Sequence, residues 1–286
     1  MNKRMYIENI FSDGFMNMVG DTAEEIRIRI NEPVIIIYPD REAVTDIIYK
    51  RPQIDSLTDR ITKSSFYTFS EDIANGFITI AGGHRIGIAG TAVYENGGLK
   101  ALKDISYINI RIAHELKGVG EGLFAKILKG DTVSNTLIVS PPGGGKTTLI
   151  RDLTRLVSDN MKKYRVAVID ERNEISATFM GEPQNEIGKR TDVLCGYSKS
   201  DGINRALRSM SPDLVVLDEI GGEKDSDAIM RCKYSGVNVI ATMHGDNISD
   251  VKRNIPKLIE NEIFDYCIFI DKNSRNCKVL TAGELI

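Results

Sequence analysis

The densest chemistry in the chain lies in Ser140-Pro-Pro-Gly-Gly-Gly-Lys-Thr-Thr148. Apart from its first position, this stretch fits the phosphate-holding pattern G-x-x-x-x-G-K-[ST]. Glycines let successive backbone N–H groups turn inward onto phosphate oxygens. A helix opening at Lys146 aims the positive end of its dipole at the same anion. In that arrangement Lys146 reaches the β- and γ-phosphates of ATP, and Thr147 ligates Mg²⁺. The candidate nucleotide-binding residues are therefore Ser140, Pro141, Pro142, Gly143, Gly144, Gly145, Lys146, Thr147 and Thr148. Ser140 stands where the pattern has glycine, and Pro141-Pro142 stiffen the approach because proline fixes φ. A chance Gly-Lys-Thr would lack the flanks seen here. An apolar strand, Leu137–Val139, precedes the loop, and a helix periodic in Leu149, Leu153 and Leu156 follows it.

A phosphate loop needs an acidic partner at the tip of a neighbouring strand. Leu214-Val-Val-Leu-Asp218-Glu219 supplies one about 70 residues downstream. Asp218 is the expected Mg²⁺ residue, acting through water, and Glu219 the group that orients or deprotonates attacking water. Two adjacent carboxylates are costly to cluster without a cation; the bland alternative is a strand ending in a polar turn. Val166-Ala-Val-Ile-Asp170-Glu171-Arg172-Asn-Glu174 is a second strand ending in acids, which could equally be a solvated, salt-bridged end. Ala241-Thr-Met-His244-Gly245 closes a third. A lone histidine is usually structural, but at the carboxyl edge of a sheet it can sense a γ-phosphate, because ligands gather there.

These residues need strands that deliver them to one edge. The chain changes character near residue 115. Before it, Glu25–Ile30 alternates with period two, and Val34–Tyr38, Phe77–Ile80, His84–Val93 and Tyr107–Ile112 also read as strands. Residues 53–74 read as a helix with Ile54, Leu57 and Ile61 on one side, and Glu95-Asn-Gly-Gly98 as a hairpin turn. After it, the apolar runs Leu137–Val139, Val166–Ile169, Leu214–Leu217 and Val237–Met243 alternate with helical segments. Fully apolar strands of that kind form a mostly parallel sheet covered on both faces. The expected organisation is a small α+β domain over 1–115, a linker over 116–132 carrying Lys117-Gly-Val-Gly-Glu-Gly122, and a RecA-like P-loop ATPase domain over 133–286.

Composition narrows the function classes. Apolar residues make up 42%, enough for a core, yet no apolar run approaches the roughly 20 residues of a membrane helix. The N-terminal basic residues have no apolar stretch behind them, so no secretory signal is expected. Net charge is −3, which disfavours wrapping nucleic acid. The four cysteines form no C-x-x-C pair and only three histidines exist, so reduced thiols are expected rather than a zinc site.

Taken in order, Ser140–Thr148, Asp170–Glu174, Leu214–Glu219 and Thr242–Gly245 resemble the Walker A loop, Asp box, Walker B strand and His box of the secretion ATPase superfamily. The approach Ala206-Leu-Arg208-Ser-Met-Ser-Pro212-Asp213 is similar to that family's A-L-R-x-x-P-D, with one extra residue. Gly82-Gly-His-Arg-Ile-Gly87, Asp170-Glu-Arg-Asn-Glu174 and Asp218-Glu-Ile-Gly221 extend the resemblance, over nearly the whole chain, to the stage III sporulation AA family of endospore formers. The resemblance implies an ATPase using ATP and Mg²⁺, working as a homo-oligomeric ring of six. It further implies a cytoplasmic mother-cell location, with peripheral membrane association through the channel proteins of the same operon. It adds Glu171, His244 and Arg111 to Glu219 and Lys146 as catalytic candidates. Arg85, Arg205 and Arg208 are further candidates for a transition-state arginine. Asp170, Glu171 and Glu219 all remain open as the base, with Glu219 favoured. Two other readings stand beside the motor: a RecA-like nucleic-acid motor, and a non-catalytic scaffold gated by nucleotide.

Overall fold

A computed structural model describes residues 3–11, 14–62, 77–95 and 97–285. The chain forms two compact units: Met1–His114 with Phe179–Gln184, and Glu115–Thr178 with Asn185–Ile286.

The first unit is built on β1 (Glu25–Arg29), β2 (Pro33–Ile37), β3 (Glu42–Ile48), β4 (Ile78–Thr79), β5 (Arg85–Glu95) and β6 (Gly98–Arg111). They form a six-stranded antiparallel sheet in the order β3-β2-β1-β6-β5-β4. β1 alternates as its sequence predicts, burying Ile26 and Ile28 and exposing Arg27. The helix Arg51–Thr62 lays Ile54, Leu57 and Ile61 into the same core. Residues 63–74 of the predicted helix lie outside the described residues. The hairpin turn closes with Glu95 opposite Gly98. β3 was not legible in the sequence. It is an edge strand whose Val44 and Ile48 are exposed, so its apolar residues do not mark a buried face.

In the second unit β7 (Leu128–Lys129) and β8 (Thr132–Val133) form a small hairpin. The main sheet comprises β9 (Thr136–Ser140), β10 (Val166–Asp170), β11 (Thr191–Cys195), β12 (Leu214–Leu217), β13 (Asn238–His244), β14 (Tyr266–Ile270) and β15 (Cys277–Thr281). Their order is β11-β10-β12-β13-β9-β14-β15, parallel throughout except for β14–β15. Every residue of β9, β10 and β12 is buried, as a sheet covered on both faces requires. Strand parity divides them. Val139, Ile169, Leu217 and Ala241 join one core with the helices Lys199–Ser209 and Gly222–Tyr234. Ile138, Val168, Val216 and Ile240 join the other, under the helix Lys146–Asn160. The α/β class and mostly parallel sheet expected from the sequence are present.

Within the second unit, the segment 116–132 carries the helix Glu121–Ile127, which packs Leu123 and Ile127 into one core with Leu149 and Leu153. Gly120 is a close-approach residue. Its N–H donates to Asp152 Oδ2 (2.8 Å), and a Cβ there would lie 3.1 Å from Leu153.

Candidate active site

Parallel register brings the strand tips to one edge. His244 of β13 pairs with Ser140 of β9, Ala241 with Leu217 of β12, and Leu217 with Ile169 of β10. Asp170, Asp218 and His244 therefore leave the sheet beside the loop that follows Ser140.

That loop turns at Gly143 (φ 74°) and Gly145 (φ 97°), a left-handed backbone that glycine adopts without strain. Gly144 has a different role. A Cβ on it would meet Ser140 Oγ at 2.0 Å, so its bareness makes room for the serine that replaces the pattern's first glycine. The Ser140 hydroxyl is buried and donates to Pro141 O (3.0 Å).

Lys146 opens the helix and is only 5% exposed. Its ammonium donates to Ser140 O (3.2 Å) and to His244 Nδ1 (2.9 Å). An ammonium has no acceptor, so Nδ1 must accept and the ring proton sits on Nε2. That Nε2–H donates to Glu219 Oε1 at 2.7 Å, and Arg172 Nη1 donates to Glu219 Oε2. Burial pushes the Lys146 pKa down, while Glu219, Asp218 and Glu174 pull the other way. An anionic phosphate at the loop mouth would offset the cost of burying this charge, because a nearby opposite charge favours the ammonium form.

Asp218 accepts from Thr147 Oγ1 (3.1 Å) and from Thr242 Oγ1. Burial raises its pKa, opposed by those two hydroxyl bonds. Thr147 and Asp218 together present hard oxygens, the donor type Mg²⁺ takes, and Mg²⁺ needs only one or two protein ligands beside phosphate and water. Glu219 has φ 51°, a conformation that costs a non-glycine residue about 1 kcal/mol or more. Its neighbours hold it there: Glu219 N–H donates to Thr242 Oγ1 and Ile220 N–H to Thr242 O, both at 2.8 Å. The strained tip turns its carboxylate to His244.

The acids after β10 divide their labour. Asp170 is buried, and both its oxygens are engaged. Oδ1 accepts from Glu174 N (2.8 Å) and Ile175 N (3.2 Å), Oδ2 from Ser176 N (2.8 Å) and Ser176 Oγ (2.6 Å). It organises the loop rather than offering a lone pair to water. Glu171 turns away and takes Lys199 Nζ at 2.6 Å, so it does not join the cluster around Lys146. Glu174 does reach the cavity.

A cavity of about 620 Å³ covers the loop. Pro142 through Thr148 line it, with Glu174, Glu219 and His244 among the polar walls. Leu116, Val119, Ile270, Arg275 and Cys277 line it too, none of them singled out by the sequence. Among the candidate arginines, Arg205 stacks on Tyr197 (5.7 Å) and Arg85 on Phe77 (4.7 Å). Arg111 ends β6 in the first unit, opposite Glu25 and Arg85. Among the described residues, no helix is long and apolar enough to cross a membrane, and no three His, Cys, Asp or Glu gather as a metal cluster.

Comparison with known proteins supplies family and fold. The family model described as "Sporulation stage III, protein AA" matches residues 1–283. The stage III sporulation protein AA of Bacillus subtilis (strain 168) is 40% identical over 247 residues, 85% of this chain and 80% of that protein. The uncharacterized protein ycf45 of Cyanidium caldarium is 30% identical over 152 residues, 51% of this chain and 43% of that protein. The Legionella pneumophila ATPase DotB aligns with a TM-score of 0.61 at 16% identity, covering 94% of this chain and 80% of that one. The pilus retraction motor PilT, solved with ADP, aligns at 0.64 with 14% identity, covering 95% and 84%. At such identities the two solved structures speak for a shared fold alone.

Proposed function

The chain belongs to the Sporulation stage III, protein AA family, and on that premise we propose that it is an ATP-hydrolysing motor of secretion-ATPase type. One observation carries the reading: the hydrogen-bonded chain from Lys146 through His244 to Glu219, at the mouth of a glycine loop beside Asp218. A buried lysine, a glycine loop opening a helix and a poised carboxylate are the parts phosphoryl transfer to water needs.

When ATP binds, Lys146 exchanges His244 Nδ1 and the Ser140 carbonyl for phosphate oxygens. Thr147 and Asp218 would hold Mg²⁺, which neutralises charge building on the phosphates. Losing its bond to Lys146 frees His244 to turn, and the Oε1 it occupied becomes available to water. Glu219 then takes the proton of that water as its oxygen bonds to the γ-phosphorus, and the bond from that phosphorus to the bridging oxygen breaks, releasing ADP and phosphate. Arg172, paired to the other oxygen, holds the carboxylate in place. Glu171, tied to Lys199, and Asp170, saturated by its own loop, are left out of the proton's path.

An arginine completing the transition state would come from a neighbouring copy in a ring, six by the family resemblance, with Arg85, Arg111, Arg205 and Arg208 as candidates. The motor would act in the mother-cell cytoplasm. It would energise assembly of, or transport through, a channel to the forespore, held to the membrane by its partner proteins. Electron microscopy with and without a non-hydrolysable ATP analogue tests the ring: nucleotide-dependent closed rings are expected. Monomers in both conditions that nevertheless release phosphate would refute a ring-based motor. Salt-sensitive binding of single-stranded nucleic acid would favour a nucleic-acid motor instead.

A further inference from the structure

The phosphate loop divides its cavity into two halves of unlike chemistry. Sheet order places β13 and β12 on one side of β9 and the β14–β15 hairpin on the other. The first side carries Asp218, Glu219 and His244. The second contributes Ile270, Arg275 and Cys277. Leu116 and Val119 line the same cavity and stand 61% and 47% exposed, two large apolar side chains that the fold leaves uncovered.

The direction of the reaction assigns these halves. In phosphoryl transfer the attacking oxygen and the leaving oxygen lie roughly in line across the γ-phosphorus. Water approaches from Glu219 on the β12 side. The leaving diphosphate, and the nucleoside attached to it, must then run toward β14–β15.

The hairpin is built to hold a group there. Asp271 Oδ1 accepts from Ser274 N (2.7 Å), Ser274 Oγ (2.8 Å) and Asn273 N (3.1 Å), and Arg275 N donates to Asp271 O (3.0 Å). This fixed turn carries Arg275 across to the phosphate loop, where its Nη1 donates to Gly143 O at 2.7 Å. A Cβ on Gly145 would stand 3.4 Å from the same nitrogen. A planar cation is thus held over the loop, beside apolar side chains. Guanidinium planes stack on aromatic rings, and a purine offers the larger flat face.

We propose that the base and ribose of the bound nucleotide lie against Leu116, Val119, Ile270 and Cys277, with the Arg275 guanidinium stacked on the base. The proposal rests on the phosphate-site reading above and adds the nucleoside's place to it. It predicts a preference for purine over pyrimidine triphosphates.

Cys277 is a built-in reporter. It is exposed, whereas Cys232 and Cys267 are fully buried. Alkylation of the Cys277 peptide, followed by mass spectrometry on the unaltered chain, is expected to slow about tenfold with saturating ATP. Tripolyphosphate, which fills the loop but carries no base, should leave the rate unchanged. Arg275→Ala should weaken ATP about tenfold, the scale of a desolvated cation–ring contact, and tripolyphosphate by less than about twofold. Two results would overturn the proposal while sparing the phosphate site. One is Lys146-dependent ATP binding with Cys277 alkylated as fast as in its absence. The other is equal weakening of ATP and tripolyphosphate by Arg275→Ala, which would make Arg275 a support for Gly143 alone. ATP binding indifferent to Lys146→Ala would overturn both.

Discussion

Replacing Gly144 by alanine puts a methyl group where Ser140 Oγ already is. The ideal Cβ lies 2.0 Å from that oxygen, 2.8 Å from Ser140 Cβ and 3.0 Å from Pro141 O. Ser140 cannot yield, because it is buried at the end of β9 and paired to His244. The loop must move instead, and with it the N–H groups that would face phosphate. Overpacking of this kind costs about 1–3 kcal/mol. If the cost falls on the bound loop, ATP affinity drops about 5- to 150-fold. Ser140→Gly removes the two closest contacts and leaves Pro141 O, at 3.0 Å, as the nearest atom. The double variant Ser140→Gly/Gly144→Ala should therefore recover most of the loss, a coupling of about 1 kcal/mol or more. Titration of the four proteins with a fluorescent ATP analogue measures the cycle. Equal weakening by Gly144→Ala in both backgrounds would refute the idea that the serine and the glycine share one space.

Further consequences concern stability and the other carboxylates. His84 is fully buried and neutral, donating from Nε2 to Lys3 O (2.8 Å) and accepting Ala113 N–H at Nδ1 (3.0 Å). Burial lowers its pKa from 6.5 to about 4. Because the folded value is the lower one, its contribution is complete above pH 6.5 and is lost as pH falls through about 4. The loss approaches about 3 kcal/mol. Denaturant unfolding across that window should show a pH slope that flattens in His84→Gln; an unchanged slope would contradict the assignment. Asp170→Asn places an amide against the Ser176 N–H and should cost about 2 kcal/mol or more in unfolding free energy. A loss under about 0.5 kcal/mol would mean the loop does not depend on that carboxylate. Glu171→Gln weakens a part-buried pair whose Lys199 also faces Asp225 at 3.9 Å, and it should leave phosphate release within about twofold of normal. Abolished turnover there would return Glu171 to the list of bases.

The site's centre could be read from the chain because its strands are continuous apolar runs. β9, β10, β12 and β13 have both faces buried, so each announces itself, and the polar residues at their tips follow. What lay at sheet edges did not announce itself. β11 and β15 expose alternate or successive residues, and neither carries an apolar run that stands out from a loop. Arg275 escaped for a related reason. It reaches Gly143 only because β14 lies beside β9, a pairing across about 130 residues that no local pattern encodes. The acids of Asp170-Glu171-Arg172-Asn-Glu174 look alike as letters. Backbone N–H groups inside the fold engage Asp170, and Lys199 of a distant helix engages Glu171. The close approach of Gly120 to Leu153, across about 30 residues, is likewise encoded by no local pattern.

The most direct test of the central claim is phosphate release alongside ATP binding in Glu219→Gln. The Lys146–His244–Glu219 chain predicts that this variant binds ATP within a few-fold of the unaltered protein and releases almost no phosphate. Phosphate release at the normal rate in Glu219→Gln, with ATP binding intact, would contradict it.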